Sequence, residues 1–168
     1  LAAELERLAG QAAAGPAFPL RMIGLRELRS HNSWMHNAPK LMAGGRSHAA
    51  RVSPEDAAEL GLEDGGRARV TSRHGSLELD VRVSEEMTPG AVAVPHGWGH
   101  AGGWRTANAA GGVNVNLLAG SGTGDLEPLA GMAFFNGIRV RLEPVPAEDA
   151  AVARGERAGG RAPIHGRA

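Results

Sequence analysis

A polar loop near the start of the chain carries the side chains best suited to holding a ligand. From Arg29 to Asn37 it reads Arg-Ser-His-Asn-Ser-Trp-Met-His-Asn. Amide, hydroxyl and imidazole groups donate and accept hydrogen bonds, and the Arg29 guanidinium can approach phosphate oxygens with two N–H groups at once. The candidate ligand-binding residues of this loop are Arg29, His31, Asn32, Ser33, Met35, His36 and Asn37.

The same loop has a simpler interpretation, in which its Asn and His residues only cap turns at the surface. Two apolar residues, Trp34 and Met35, argue for a ligand, because apolar side chains in so polar a loop need something to cover them. The body of the domain could also cover them.

A glycine-rich stretch, 96–124, and the residue after it supply a second set of candidates. Glycine lets the backbone approach a flat ligand closely, and Trp98 or Trp104 could stack on that ligand or belong to the core. An amide and a carboxylate suit the edge of a nitrogen-rich ring, whereas Asx-turns would explain the same residues without a ligand. The candidates here are His96, Gly97, Trp98, Asn114, Asn116 and Asp125.

Two further patterns in this stretch resemble catalytic motifs but lack essential parts. His96 and His100 would share one face of a helix, but the glycines between them disfavour a helix and no Glu completes a zinc-protease spacing. The run 120–124 lacks the Lys-Ser/Thr of a phosphate-binding loop. We therefore assign no catalytic residue and no metal ligand. The groups Arg46-Ser47-His48 and Arg73-His74 are expected to be solvated turn residues.

Short strands joined by turns must position these loops. Ser53 is an N-cap candidate for a short helix that starts with Pro54 and closes at Gly61. In the first strand Gly24 leaves room for a bulge. Alternating or wholly apolar segments predict strands at Leu20–Leu28, Arg67–Ser72, Leu77–Val83, Ala91–Pro95 and Ile138–Leu142.

The segments 30–50 and 96–124 have no clear period and are predicted to be long loops. Such loops are uncommon in a self-contained domain unless they bind something. We therefore expect a mainly β protein with a small barrel over 20–146, whose two loops lie near one end and line one ligand. Residues 1–10 are predicted to be a helix, 11–19 a linker and 147–168 a disordered tail.

The composition excludes several classes of function. The chain has 18 Lys and Arg against 18 Asp and Glu, so no basic excess points to nucleic acid. It has no Cys, which excludes a disulfide framework, a zinc ribbon and a thiolate-held iron–sulfur cluster in this segment and leans to a cytoplasmic location. No apolar run approaches the ~20 residues that span a bilayer, so no membrane span is expected. A start at Leu1 suggests a fragment.

Four segments, taken in order, resemble one known family over residues 20–143. They are the loop 29–37; the strand, helix and turn of 52–65; Pro89 to Trp98, similar to P-G-x-V-x-x-P-x-x-W; and Asn116-Leu117-Leu118 followed by Asp125, similar to N-x-L-T…D. The chain thus resembles the C-terminal, molybdopterin dinucleotide-binding domain of the dimethyl sulfoxide reductase family, which includes formate dehydrogenases and nitrate reductases. Leu118 stands where the family usually has Thr, and Asn114 adds a second Asn.

The resemblance implies a six-stranded double-psi β-barrel with one or two short helices, whose loops close over one or both pterin guanine dinucleotides. The molybdenum or tungsten, and any iron–sulfur cluster, would be held by upstream domains of the same polypeptide. An electron-transfer subunit could be a further partner. The whole enzyme, in the cytoplasm or the periplasm, would transfer two electrons or an oxygen atom, and this domain alone would be inactive.

Two other classes remain as alternatives. One is a stand-alone double-psi barrel that binds a protein or substrate, as in the N-terminal domains of some unfolding ATPases. A module of that kind has no reason to keep a polar Asn/His loop beside a glycine-rich one, which argues against this class. The other is a pyruvoyl-type barrel enzyme that cleaves itself at a Gly-Ser bond, for which Gly75-Ser76 is the only fitting feature.

Overall fold

The chain folds into short strands and short helices. The computed structural model describes residues 17–44, 46–100, 105–127 and 130–146, together with Ala2, Glu6, Gly15 and Gly102. The strands are β1 (Leu20–Leu25), β2 (Ala49–Val52), β3 (Arg67–Thr71), β4 (Ser76–Val83), β5 (Ala91–Pro95) and β6 (Ile138–Pro144). The α-helices are α1 (Pro39–Met42), α2 (Pro54–Leu60) and α3 (Arg105–Ala109), and single 3-10 turns cover Trp34–Asn37, Val115–Leu118 and Thr123–Asp125.

The six strands close into a barrel in the order β1-β5-β2-β4-β3-β6. The pairs β1/β5 and β2/β4 are parallel, and the other neighbours are antiparallel. This closed, mixed, six-stranded barrel confirms the predicted double-psi fold. A closed barrel leaves no free strand edge, so short strands can hold together without a larger sheet.

Small and branched side chains fill the barrel, because its interior is too narrow for many large ones. The inward positions of β4 alternate with its outward positions, as period-two patterning requires. Val52, Val70 and Val140 are fully buried. Val115 and Leu118, from the glycine-rich stretch, join the same core cluster. One loop therefore contributes core residues to the barrel.

Helix α2 forms as its sequence predicts. The Ser53 side chain accepts a hydrogen bond from the Asp56 amide, Pro54 occupies the first turn, and Gly61 takes the left-handed conformation with φ of 66°. The Asp56 carboxylate also accepts a hydrogen bond from the Gly90 amide, at 2.9 and 3.1 Å to its two oxygens. This bond ties α2 to the turn before β5.

Several details of the predicted elements were wrong. The described part of 96–124 is not one irregular loop, because it holds α3 and the 3-10 turn Val115–Leu118. The first strand ends at Leu25, and the fully exposed Leu28 lies in a turn beyond it. Gly24 forms no bulge, because it pairs with Val94 in regular register while its amide donates to the Asn136 side chain. The segment 30–50 is not one irregular loop: it holds a 3-10 turn, α1 and the start of β2.

Strand directions and register place both long segments at one rim of the barrel. The ends of β1, β3 and β5 and the starts of β2, β4 and β6 all lie there. That rim, called the loop rim below, carries residues 26–48, the β3–β4 turn and residues 96–137. The opposite rim carries α2 and short turns. The predicted helix over residues 1–10 lies largely outside the described residues, and the predicted tail 147–168 lies entirely outside them.

Candidate functional site

The first loop is held in an unusual backbone conformation. His31, Asn32 and Ser33 have φ of 46°, 53° and 90°, a region that non-glycine residues rarely adopt. The Ser30 hydroxyl lies inside this turn, accepting from the Ser33 amide at 3.3 Å and hydrogen-bonding His36 Nε2 at 2.9 Å. Three consecutive strained residues persist only where the surroundings hold them, and such strain concentrates at functional sites.

The glycine-rich segment supplies those surroundings. His96 Nε2 hydrogen-bonds the Asn32 side-chain oxygen at 2.8 Å. A Cβ built on Gly97 would lie 3.0 Å from the Ser33 amide nitrogen, so glycine is needed for the two backbones to approach. His36 Nδ1 and His100 Nε2 lie 3.1 Å apart. The two predicted loops therefore meet at the loop rim, where the argument from loop length placed them.

Trp98 lies beneath this junction and is 3 % exposed. Its ring stacks on His48 at 5.4 Å with an interplanar angle of 7°, and His36 lies 4.5 Å from it. Its indole N–H donates to Glu27 at 2.9 Å, and Arg46 pairs with the same carboxylate oxygen at 3.1 Å. Of the two interpretations open for Trp98, the packing favours the core residue. Trp104 lies outside the described residues.

His48 is buried between two loops, which corrects the expectation of a solvated turn residue. Its Nε2 lies 2.7 Å from the Pro95 carbonyl, which can only accept, so Nε2 carries the hydrogen. Its Nδ1 is then free to accept from the Val113 amide at 3.2 Å. Burial lowers the pKa of His48 below 6.5, although the bond to Pro95 opposes the shift. The imidazole is thus neutral and fixed in one tautomer.

His36 lies in a similar environment, with its side chain fully buried. Burial is the main cause that lowers its pKa below 6.5, and the nearby His100 and Arg46 add to the effect while Glu27 opposes it. A neutral His36 pairs with Ser30 through one ring nitrogen and with His100 through the other. The chain Ser30–His36–His100 fixes how His100 is presented to the cavity described next.

A cavity of about 410 Å³ opens between the two loops. Trp34 forms part of its wall and is 80 % exposed. The Asn37 amide faces the same space and makes no hydrogen bond to another described residue. The lining residues are Ser33, Trp34, Asn37, His100 and Ala107. An exposed aromatic ring beside a free amide, a hydroxyl and an imidazole suits a flat, hydrogen-bonding ligand.

The remaining candidates of the glycine-rich segment form a second group along the rim. Gly99 has φ of 81°, and a Cβ there would overlap the backbone of Val113 and Asn114. The Asn114 side chain accepts from the Asn116 amide at 3.1 Å, which is the Asx-turn alternative. The Asn116 side chain itself is exposed.

Asp125 is already engaged by the protein. Its carboxylate pairs with Arg73, approaches His74 Nε2 at 3.2 Å and accepts from the Gly122 amide at 3.3 Å. Arg73 is therefore an ion-pair partner of Asp125, while His74 accepts a hydrogen bond from Arg73 beside the pair. Both residues are exposed in the turn, as expected. Arg46, only 16 % exposed, corrects the same expectation.

The structure adds residues that sequence reasoning did not select. Ser30, His100 and Ala107 contribute to the first loop or its cavity, and Glu27 and Arg46 anchor Trp98. His100 had been considered only as a metal ligand with His96. Nothing in the sequence near Ser30 marks it, because its role comes from a bond to a ring six residues on.

Comparison with known proteins identifies the family. Residues 20–139 match the family described as "Molydopterin dinucleotide binding domain". The chain belongs to this family. The role of the domain is therefore to bind that cofactor.

Relatives and a solved structure agree with the family. The chain is 33 % identical over 143 residues to the arsenate respiratory reductase molybdopterin-containing subunit of Shewanella sp. (strain ANA-3), covering 76 % of this chain and 16 % of that protein. It is 36 % identical over 91 residues to the same subunit of Chrysiogenes arsenatis, covering 49 % and 11 %. Acetylene hydratase from Pelobacter acetylenicus shares the fold, with TM-score 0.65, 24 % identity and coverage of 76 % and 18 %. The chain therefore spans only a small part of its relatives' length.

Family membership decides between the classes left open by the sequence. It favours the cofactor-binding domain over a stand-alone barrel module and over a self-cleaving barrel enzyme. In the described part of the chain, no helix has both the length and the apolarity to cross a membrane. The same residues contain no cluster of three or more His, Cys, Asp or Glu that could hold a metal ion.

The donor set at the loop rim fits a pterin dinucleotide. A pterin edge presents N–H, amino and carbonyl groups, which amides such as those of Asn37 and Asn116 can pair in both senses. The exposed Trp34 ring offers an apolar face for the fused rings. Arg29 is exposed, and its guanidinium makes no bond to another described residue, which leaves it available to a phosphate.

Proposed function

We propose that the full-length protein is a molybdenum- or tungsten-dependent oxidoreductase in which this domain closes over the dinucleotide cofactor with its loop rim. When bound, the cofactor supplies the two-electron or oxygen-atom transfer, and the domain binds, orients and shields it. One observation supports this most: two long loops with unpaired polar groups converge on one cavity in a member of a cofactor-binding family.

The candidate residues divide into two roles in this proposal. Asn37, Asn116 and Arg29 are exposed and contact the cofactor directly, as do His31, Ser33 and Met35 at the same rim. Asn32, His96 and Asn114 each bond the protein through one side-chain atom and contact the cofactor with the other polar atom, and Gly97 contacts it through its backbone. His36, Trp98 and Asp125 have their side chains engaged by the protein, so they position the loops. The metal's own ligand and any iron–sulfur cluster belong to upstream domains of the polypeptide, and a separate subunit could carry electrons.

Cofactor retention tests the contact residues. In the full-length protein, Asn32→Ala, Asn37→Ala and Asn116→Ala should each lower pterin content per chain about tenfold, the effect of losing roughly 1.4 kcal/mol of binding. Asn136→Ala is the matched control, because among the described residues the Asn136 amide bonds only Gly24 of β1. Unchanged pterin content in all three variants would overturn the site assignment.

Turnover tests the wider proposal. Full-length protein loaded with cofactor should reduce or oxidise at least one compound of the kinds named for its relatives, which include arsenate and tetrathionate reductases and a periplasmic nitrate reductase. An artificial electron donor or acceptor makes the assay independent of the natural partner. The isolated domain should show no turnover. Full-length protein that contains neither pterin nor molybdenum nor tungsten would contradict the proposal.

A further inference from the structure

A second cavity, of about 250 Å³, lies on the outer wall of the barrel below the first loop. Its lining includes three arginines, Arg46, Arg51 and Arg82, and one acid, Glu27. The lining therefore carries three positive charges and one negative charge, a formal net charge of +2, although the net charge of the whole chain is zero. Ser47 and Gly44 complete its upper edge.

Arg51 and Arg82 are direct neighbours in the barrel. They occupy the same register position of the parallel strands β2 and β4. Like charges placed opposite one another on neighbouring strands destabilise a sheet. On the other side of Arg51, β5 places Ala93, which offers no compensating charge. The barrel thus places two guanidinium groups side by side, and no acidic residue at this register position of the neighbouring strands offsets their repulsion.

The nearby carboxylates are committed elsewhere. Glu27 accepts from both Arg46 and Trp98, as described above. Glu78 and Asp80, earlier on β4, pair with Arg67 and Arg69. Among the described residues, Arg51 pairs only with Glu86, at 4.0 Å, and the Glu86 side chain is 86 % exposed, so this ion pair stabilises little in water. Arg82 forms no ion pair with any described residue.

We propose that this cavity binds a phosphoryl oxyanion between Arg51 and Arg82. A guanidinium presents a rigid fork of N–H donors that matches phosphate oxygens in pairs, and two forks side by side suit one tetrahedral anion. Such an anion removes the repulsion between the two strands. The Ser47 hydroxyl at the cavity edge is an additional donor. The phosphoryl group comes either from free phosphate or from the diphosphate of the cofactor.

Phosphate binding to the full-length protein tests this site. Radiolabelled inorganic phosphate in equilibrium dialysis should bind wild type, and Arg51→Gln/Arg82→Gln should bind at least about tenfold more weakly, equivalent to roughly 1.4 kcal/mol. Arg82→Lys keeps the charge but loses the fork, so an intermediate affinity is expected. The control is Arg141→Gln on β6, three strands away from β2 in either direction and paired with Glu143.

The outcomes separate the two sources of phosphate. Weaker phosphate binding in the double variant with normal pterin content supports a site for the free anion. Lower pterin content in the double variant, with phosphate binding only to cofactor-stripped wild type, supports the cofactor's diphosphate as the occupant. If neither quantity differs between the double variant and Arg141→Gln, the site is overturned. Protein that lacks pterin altogether refutes the proposed function but leaves the dialysis result decisive for this site.

Thermal unfolding with and without phosphate checks that each variant is folded, because a ligand of the native state raises the midpoint.

Discussion

His48 shows how one side chain can join two segments of the loop rim. Its ring donates to the carbonyl of Pro95, accepts from the amide of Val113 and stacks on Trp98. The same buried ring therefore links the end of β5, the glycine-rich segment and the residue under the cavity. A side chain of equal size without these bonds cannot replace it.

Replacing His48 by Leu should lower the free energy of unfolding by about 2–4 kcal/mol. The substitution leaves the buried carbonyl of Pro95 and the partly buried amide of Val113 without partners, and a buried group left unpaired costs about 1–3 kcal/mol. Denaturant unfolding followed by tryptophan fluorescence measures the change. The control is Glu59→Leu, at an exposed position of α2, which should change stability by less than about 0.5 kcal/mol. Equal effects of the two substitutions would show that His48 does not join the loops.

Two glycines with nearly the same backbone conformation allow the cost of backbone strain to be measured separately from the cost of a steric clash. Gly99 and Gly102 have φ of 81° and 79°, but only Gly99 would place a Cβ against other backbone atoms. Gly102→Ala should cost about 1–2 kcal/mol, the penalty of a left-handed L-residue. Gly99→Ala should cost clearly more, because Val113 and Asn114 would have to move. Thermal unfolding of both variants measures the two losses of stability. A loss at Gly99 no larger than that at Gly102 would contradict the close packing around Gly99.

At the scale of elements, the features predicted best from the sequence were those that depend on neighbouring residues. Ser53, Pro54 and Gly61 specify the two ends of α2 through capping and backbone conformation, so its bounds could be read directly. Strand β5 was predicted at its observed bounds because five apolar residues lie between two turns. Strand β2 was not among the strands predicted from periodicity, since Ala49 and Ala50 have no β-branched side chain to mark it.

Helix α2 provides a direct test of capping. Ser53→Ala removes the bond to the Asp56 amide and should lower the free energy of unfolding by about 1 kcal/mol. The exposed Ser76, at the start of β4, is the control, and its replacement by Ala should have little effect. Chemical denaturation of both variants gives the comparison. Because α2 lies at the rim opposite the cavity, pterin content should be unchanged in folded Ser53→Ala protein.

The site was harder to predict than the fold, for a physical reason. Residue types such as Asn32 and Asn37 indicate what a loop can bind, but not which of its groups the protein itself uses. Asp125 illustrates this, because its pairing with Arg73 crosses 52 positions of sequence. Likewise, the pairing of His36 with His100 spans 64 positions and left no local pattern.

At the scale of the whole molecule, the buried imidazoles make stability depend on pH. Burial lowers the pKa values of His36 and His48 below 6.5, so the unfolded chain binds more protons than the folded one in that range. Their contribution to stability is complete above about pH 6.5 and is lost as the pH falls toward the folded-state pKa values. The slope should approach about 1.4 kcal/mol per pH unit for each histidine.

Unfolding free energies measured between pH 5 and pH 8 check this dependence. The unfolding free energy of wild type should stay constant above neutral pH and should fall steadily as the pH is lowered below it. His48→Gln should reduce the slope, because one of the two buried bases is gone. A wild-type profile that stays flat down to pH 5 would show that both rings titrate normally in the folded protein.

The order of strands in the barrel also determines when the domain can assemble. Strand β1 pairs with β5 and β6, so Leu20 has its antiparallel partner at Val140. During synthesis, the N-terminal strand must wait unpaired on that side until the last strand has left the ribosome. The segments 26–48 and 96–137 cannot take up their final arrangement earlier, because the strands that hold them are not yet in place. We therefore expect the loop rim to form only after β6, which ends at Pro144, has been synthesised.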